Sequence, residues 1–138
     1  MTRSDLQLLA TMRLGDANAL LKARRYSAAY YLAGYAVECA LKACIAKQTR
    51  KHTFPPDRRT VEKLYTHDLG GLAKEANLEI EIRSHSLTDT AFGDNWAITK
   101  DWSERARYQR RSHADARDLI EAIADPAHGV LAWLRQRW

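Results

Sequence analysis

The stretch 26-YSAAYYLAGYAVECALKACIAK-47 decides the fold. It is apolar on nearly every side at helical spacing. A helix that is apolar all round is buried all round, so this segment is expected to be the central helix of a bundle. Ser27 is the expected N-cap, with Tyr26 and Tyr31 at the two positions of a hydrophobic staple. Glu38 and Lys42 interrupt the apolar surface four residues apart, in the favourable order for an ion pair. Two readings of them stay open. They pair at the edge of the core, or Glu38 orients a cationic side chain arriving from another helix. Cys39 and Cys44, five residues apart, do not share a helical face, so a bridge between them is geometrically poor and two reduced, buried thiols are expected. They are too few and badly spaced to hold zinc, and no cofactor is expected.

Working outward, Leu6, Ala10, Leu14, Ala17 and Leu21 form one apolar stripe. They predict a first helix from Asp5 to Arg24, with Ser4 and Gln7 as a capping box. After the central helix, 48-QTRKHTFPPDRR-59 reads as a loop because of Pro55 and Pro56, with His52 solvated. The segment 65-YTHDLGGLAKEAN-77 predicts a short helix capped by Thr66 and closed by Asn77, with Asp68 in its first turn. His67, at its start, reads as a local hydrogen-bonding residue. The apolar alternation in 78-LEIEI-82 suggests a strand, but a lone short strand has no partner here. Helical spacing resumes in 88-TDTAFGDNWAITKDW-102, where Phe92, Trp96, Thr99 and Trp102 form a stripe expected in the core. Ser112 and Asp115 mark the start of a last long helix. Asp125 and Pro126 read as N-cap and first residue of a final short one, docked by Leu131, Leu134 and Trp138, with His128 exposed near its start.

The sum is an all-α fold: an antiparallel bundle of four main helices with short additional helices. The 138 residues suit one domain spanning 1–138. No stretch has the length of apolar residues needed to span a membrane, and the first ten residues lack the apolar centre of a signal peptide, so a cytoplasmic protein is expected. The net charge of +5 favours acidic partners such as RNA, and its distribution matters more than its sum.

That distribution is uneven. In 104-ERARYQRRSHAD-115, Arg105, Arg107, Arg110, Arg111 and His113 fall within ten positions. If Ser112 caps the last helix, His113 is its first residue. Unpaired backbone N–H groups there attract anions, and the positive helix end disfavours a charge on the imidazole. A neutral imidazole takes a proton and a protonated one returns it, which is general acid–base chemistry. The competing reading is a solvated basic face, because these four arginines cannot share one helical side. In it Tyr108 anchors the segment in the core.

Several pieces together resemble the HEPN family of helical domains. Residues 13-RLGDANALLKARRYSAAYYLAGYAVECALKA-43 resemble its first helical hairpin, with an E-x-x-L-K helix at Glu38, Leu41 and Lys42. Residues 66-THDLGGLAKEA-76 resemble its T-H-D-L element, and 102-WSERARY-108 its R-Y segment. Several branches of that family cut RNA without a metal, with a signature of arginine, four to six residues, then histidine. Here Arg107 and His113 have five residues between them. Asp115 stands where the toxin branch often has a tyrosine, and Tyr108 replaces the usual short polar continuation.

The resemblance implies Arg107 and His113 as the catalytic pair, with Arg105, Arg110 and Arg111 contacting phosphates. Glu38, Lys42, His67 and Tyr108 would support the cleft. It also implies a homodimer in which two such motifs face one cleft. Two alternatives stand beside the ribonuclease. One is a non-catalytic RNA- or nucleotide-binding module. The other is an interaction domain, such as the partner of a nucleotidyltransferase-type antitoxin.

Overall fold

The computed structural model of the chain describes residues 1–49 and 58–138. Pro55, Pro56 and His52 therefore lie outside the described residues. Among those described, every regular element is helical: α1 (Arg3–Lys22), α2 (Tyr26–Gln48), α3 (Arg58–Leu64), α4 (Leu69–Glu75), α5 (Glu79–Thr88), α6 (Thr90–Lys100), a 3-10 helix (Glu104–Tyr108), α7 (His113–Ala124) and α8 (Val130–Arg135).

As its apolar surface dictates, α2 is the hub. It packs against α1, α4, the 3-10 helix, α7 and α8. Most of its length is buried, from Ala29 to Ile45, including both cysteines. Those thiols are free, and burial pushes Cys44 up to about 11 and Cys39 above its ordinary value. The α1 and α2 helices lie side by side as an antiparallel hairpin. The α7 helix packs on α1, α2 and α6, and α6 carries α5. Phe92, Thr99 and Trp102 are buried as the stripe requires, and Trp96 is half-buried.

Several boundaries differ from the sequence-based expectation. The box at α1 is Thr2 with Asp5, two residues earlier than Ser4 with Gln7: the Thr2 N–H donates to Asp5 Oδ2 at 2.7 Å. At its other end α1 stops at Lys22 and does not reach Arg24. Arg24 adopts a left-handed φ of 63°, and the Arg25 and Arg24 N–H groups bond back to the Leu20 and Leu21 carbonyls. That reciprocal closure is usually made with glycine.

Tyr26 is already inside α2, so it makes no staple with Tyr31, which stacks on Tyr35 and Trp102. Ser27 does not cap α2; its Oγ accepts the Arg111 N–H across the bundle at 2.9 Å. Thr66 does not cap α4, which begins after Asp68, but its hydroxyl accepts the Asp68 N–H at 3.1 Å. Asn77 closes that helix as expected, at φ 57°. Residues 79–88 are helical, because the buried Ile82 faces the core from an α-helix packed on α6. Pro126 opens a turn and not α8, whose N-cap is Gly129. The Asp125 carboxylate instead accepts the Ala127 and His128 N–H groups.

One of these turns carries a titratable link. His128 is exposed, as expected, yet its Nδ1 lies 2.8 Å from Asp89 Oδ2, and Asp89 Oδ1 accepts the Phe92 N–H at the start of α6. The hydrogen bond to Asp89 and its charge raise His128 above its usual value near 6.5. The bond to His128 holds Asp89 below 3.8. A raised histidine stabilises fully below its unfolded pKa and loses that contribution as pH rises through the folded value. A lowered aspartate stabilises above its unfolded pKa and loses that contribution on acidification. The link therefore acts most strongly between about pH 4 and 6.5. His128→Gln should lower the Tm more at pH 5.5 than at pH 8.5, as read by thermal denaturation across that range. Equal shifts at both would exclude the charged pair.

Candidate functional site

The basic segment lies on the surface between α6 and α7. Its first half is the 3-10 helix, anchored by buried Ala106 against α2. Arg105 and Arg107 project from it, exposed. Tyr108 is 82% exposed, so it does not anchor the segment in the core; the Arg107 guanidinium lies 5.4 Å from its ring centre. The chain then runs extended through Gln109 into Ser112.

The start of α7 is as the sequence indicates. The Asp115 N–H donates to Ser112 Oγ at 3.1 Å, the Ser112 N–H donates to Asp115 Oδ2 at 3.2 Å, and His113 is the first helical residue. The His113 imidazole is exposed, with its ring 4.9 Å from that of Tyr26 at the start of α2. No hydrogen bond or ion pair joins Arg107 to His113 within the chain.

The arginines differ in setting. Arg105, Arg107 and Arg110 are exposed and form no ion pair among the described residues. Arg111 is held: its N–H is on Ser27, its guanidinium lies 4.3 Å from the Tyr30 ring centre, and its Nη2 donates to Gln109 at 2.7 Å. Its Nε is buried without a partner. Beside it opens a cleft of about 390 Å³ lined by Arg24, Arg25, Tyr26, Ser27, Ala28 and Arg111.

Of the supporting residues, Glu38, Lys42 and His67 gather away from His113, and Tyr108 does not join them. Glu38, buried in α2, accepts from Lys42 Nζ at 2.8 Å, and His67 Nδ1 lies 3.0 Å from both its oxygens. His67 Nε2 reaches Glu104 Oε2 at 3.2 Å. Glu38 thus pairs with Lys42, as one of the two readings has it, and also contacts His67 from the segment before α4. His67 bridges a buried carboxylate to the 3-10 helix that bears Arg105 and Arg107. Sequence reasoning puts Glu38, Lys42 and His67 together but misses Glu104, whose only sequence signal is its place at the head of the basic run. A cleft of about 280 Å³ beside it is lined by Thr66, His67, Asp68, Trp102, Ser103 and Glu104.

The cluster gives an asymmetric prediction. Removing Glu38 leaves a lysine and a histidine that are partly solvated, whereas removing Lys42 leaves a carboxylate that is almost fully buried and short of donors. Lys42→Met should cost about 2 kcal/mol and Glu38→Gln about 1 kcal/mol, measured by urea denaturation. The reverse order would mean that the carboxylate is solvated.

Comparison with curated proteins and with solved structures returned no match. The sequence profile of the HEPN domain matches residues 9–137, nearly the whole chain. No helix among the described residues is long and apolar enough to cross a membrane. The central Glu38–Lys42 helix, its all-helical surroundings and this match agree: the chain belongs to the HEPN domain family.

Proposed function

We propose that this HEPN chain binds RNA and cleaves it without a metal, with Arg107 and His113 as catalytic residues contributed by both copies of a homodimer. One observation carries the reading. The Ser112–Asp115 box sets His113 at the first position of α7, exposed, beside a surface with several unpaired arginines. Anions are drawn to such a helix end, and an imidazole held there can work on what they bring.

One histidine cannot be base and acid at once, and in one chain Arg107 does not touch His113. A twofold axis through this face supplies both histidines. One imidazole takes the proton of the ribose 2′-hydroxyl as the 2′-oxygen attacks phosphorus. The P–O5′ bond breaks, and the second, protonated imidazole gives its proton to the leaving 5′-oxygen. The products are a 2′,3′-cyclic phosphate and a 5′-hydroxyl. Arg107 steadies the charge on the phosphoryl oxygens, and Arg105 and Arg110 bind neighbouring phosphates. His67 and Glu38 hold the 3-10 helix that presents Arg107.

The test is incubation of purified protein with RNA in EDTA, with end-group analysis of the fragments and sedimentation to establish the dimer. Cyclic-phosphate ends from a dimeric protein are expected. Intact RNA that is still bound with salt-dependent affinity would leave a binding module in place of an enzyme.

A further inference from the structure

The geometry points to the cleft at the α1–α2 turn as a phosphate subsite for the RNA strand, formed by Arg24, Arg25 and Arg111. It rests on the RNA reading above and adds residues distant in sequence from the basic segment. Three arginines meet there, two from the turn and one from the segment that enters α7. None forms an ion pair among the described residues, although the chain pairs many of its other charges. Like charges gathered without a counter-charge repel one another, and an anion between them removes that penalty.

Two carboxylates act on Tyr30, whose ring faces Arg111: Asp115, which is engaged by the Ser112 N–H in the α7 cap, and Asp101. The Arg111 backbone is tied to Ser27 and its guanidinium is held by the Tyr30 face and Gln109, so little side-chain freedom is lost when it meets a phosphate. Tyr26 belongs to the lining and also contacts His113. A strand whose phosphate sits in this cleft therefore runs past His113.

Arg24 supplies a test that separates binding from folding. Its φ of 63° is a conformation that glycine adopts more easily. Arg24→Gly removes a cation and relieves the backbone together. Affinity is read by fluorescence anisotropy with a labelled 2′-O-methyl oligoribonucleotide, which cannot be cleaved, over a range of salt. Arg24→Gly should raise the Tm by about 2–4 °C while weakening binding several-fold. Arg24→Gly with Arg25→Ala should weaken it about tenfold. The slope of log K against log salt should flatten by roughly 0.7 for each phosphate that the variant no longer neutralises.

Arg3→Ala, at the other end of α1 and about 30 Å away by helix rise, controls for net charge and should have little effect. Should wild type and the double variant bind equally, the cleft is not a subsite although RNA binding stands. The same conclusion follows if Arg3→Ala weakens binding as much as the double variant. No binding by wild type even at low salt overturns the RNA reading, and the subsite with it.

Discussion

His113→Ala and Arg107→Ala should each lower RNA cleavage by about 10²–10⁴-fold while leaving the fold intact. General acid–base catalysis by a positioned imidazole contributes about 10²–10⁴-fold, and a preorganised donor to the developing phosphoryl charge is worth about 10²–10³-fold. Both side chains are exposed and neither belongs to the core, so circular dichroism and Tm should stay close to wild type. The two-copy cleft makes a sharper demand. A dimer of one wild-type and one His113→Ala chain lacks either acid or base in its cleft. Excess inactive chain should therefore suppress wild-type cleavage beyond simple dilution. The wild-type pH–rate profile should be bell-shaped, since one imidazole must be neutral and the other protonated. Undiminished cleavage by His113→Ala would remove that residue from the chemistry.

Gly34→Ala should destabilise the chain by about 3 kcal/mol, with a Tm lowered by roughly 10 °C. Alanine in place of glycine inside a helix is ordinarily favourable by up to about 1 kcal/mol. Here a Cβ would stand 2.2 Å from Cγ, Cδ1 and Cδ2 of Trp102. The indole lies directly on the α2 backbone and stacks on Tyr31 at 6.0 Å, with 2% of its surface exposed, so it has nowhere to retreat. In a Trp102→Ala background the clash partner is gone. There Gly34→Ala should be neutral or mildly stabilising, and the double-mutant cycle isolates the interaction. Additive effects of the two substitutions would mean that residue 34 acts through something other than Trp102.

Gly34 also indicates what a sequence can and cannot convey. The nearly all-apolar surface around it dictated that most of α2 is buried, and periodicity placed Phe92, Thr99 and Trp102 in the core. Nothing in the order of residues said that Trp102 would land on Gly34, since that meeting is fixed by how α6 leads into the 3-10 helix. Cap positions were legible where one polar residue dominates, as at Ser112, and shifted where several compete, as among Thr2, Ser4, Asp5 and Gln7.

At the candidate site, the helix-start position of His113 followed from local spacing. The partners of Arg111 did not, because Ser27 and Tyr30 lie more than eighty residues earlier in the chain. The Glu38–His67–Glu104 chain likewise joins three segments, so only its first members were visible as separate motifs.

The arrangement of that corner has a consequence for how the protein comes into being. The α1–α2 hairpin is built from residues close in sequence around a three-residue turn, and such local structure forms early, while the N-terminal third is all that has been synthesised. Arg24 and Arg25 are in place then, but Arg111 and His113 are not. The cleft and the helix start that bears His113 are assembled only once α7, made after the hairpin, docks on both α1 and α2. A growing or truncated chain thus carries basic side chains without an assembled site. Native-state hydrogen exchange offers a readout: opening of the α7 start should disassemble the site while the hairpin stays folded.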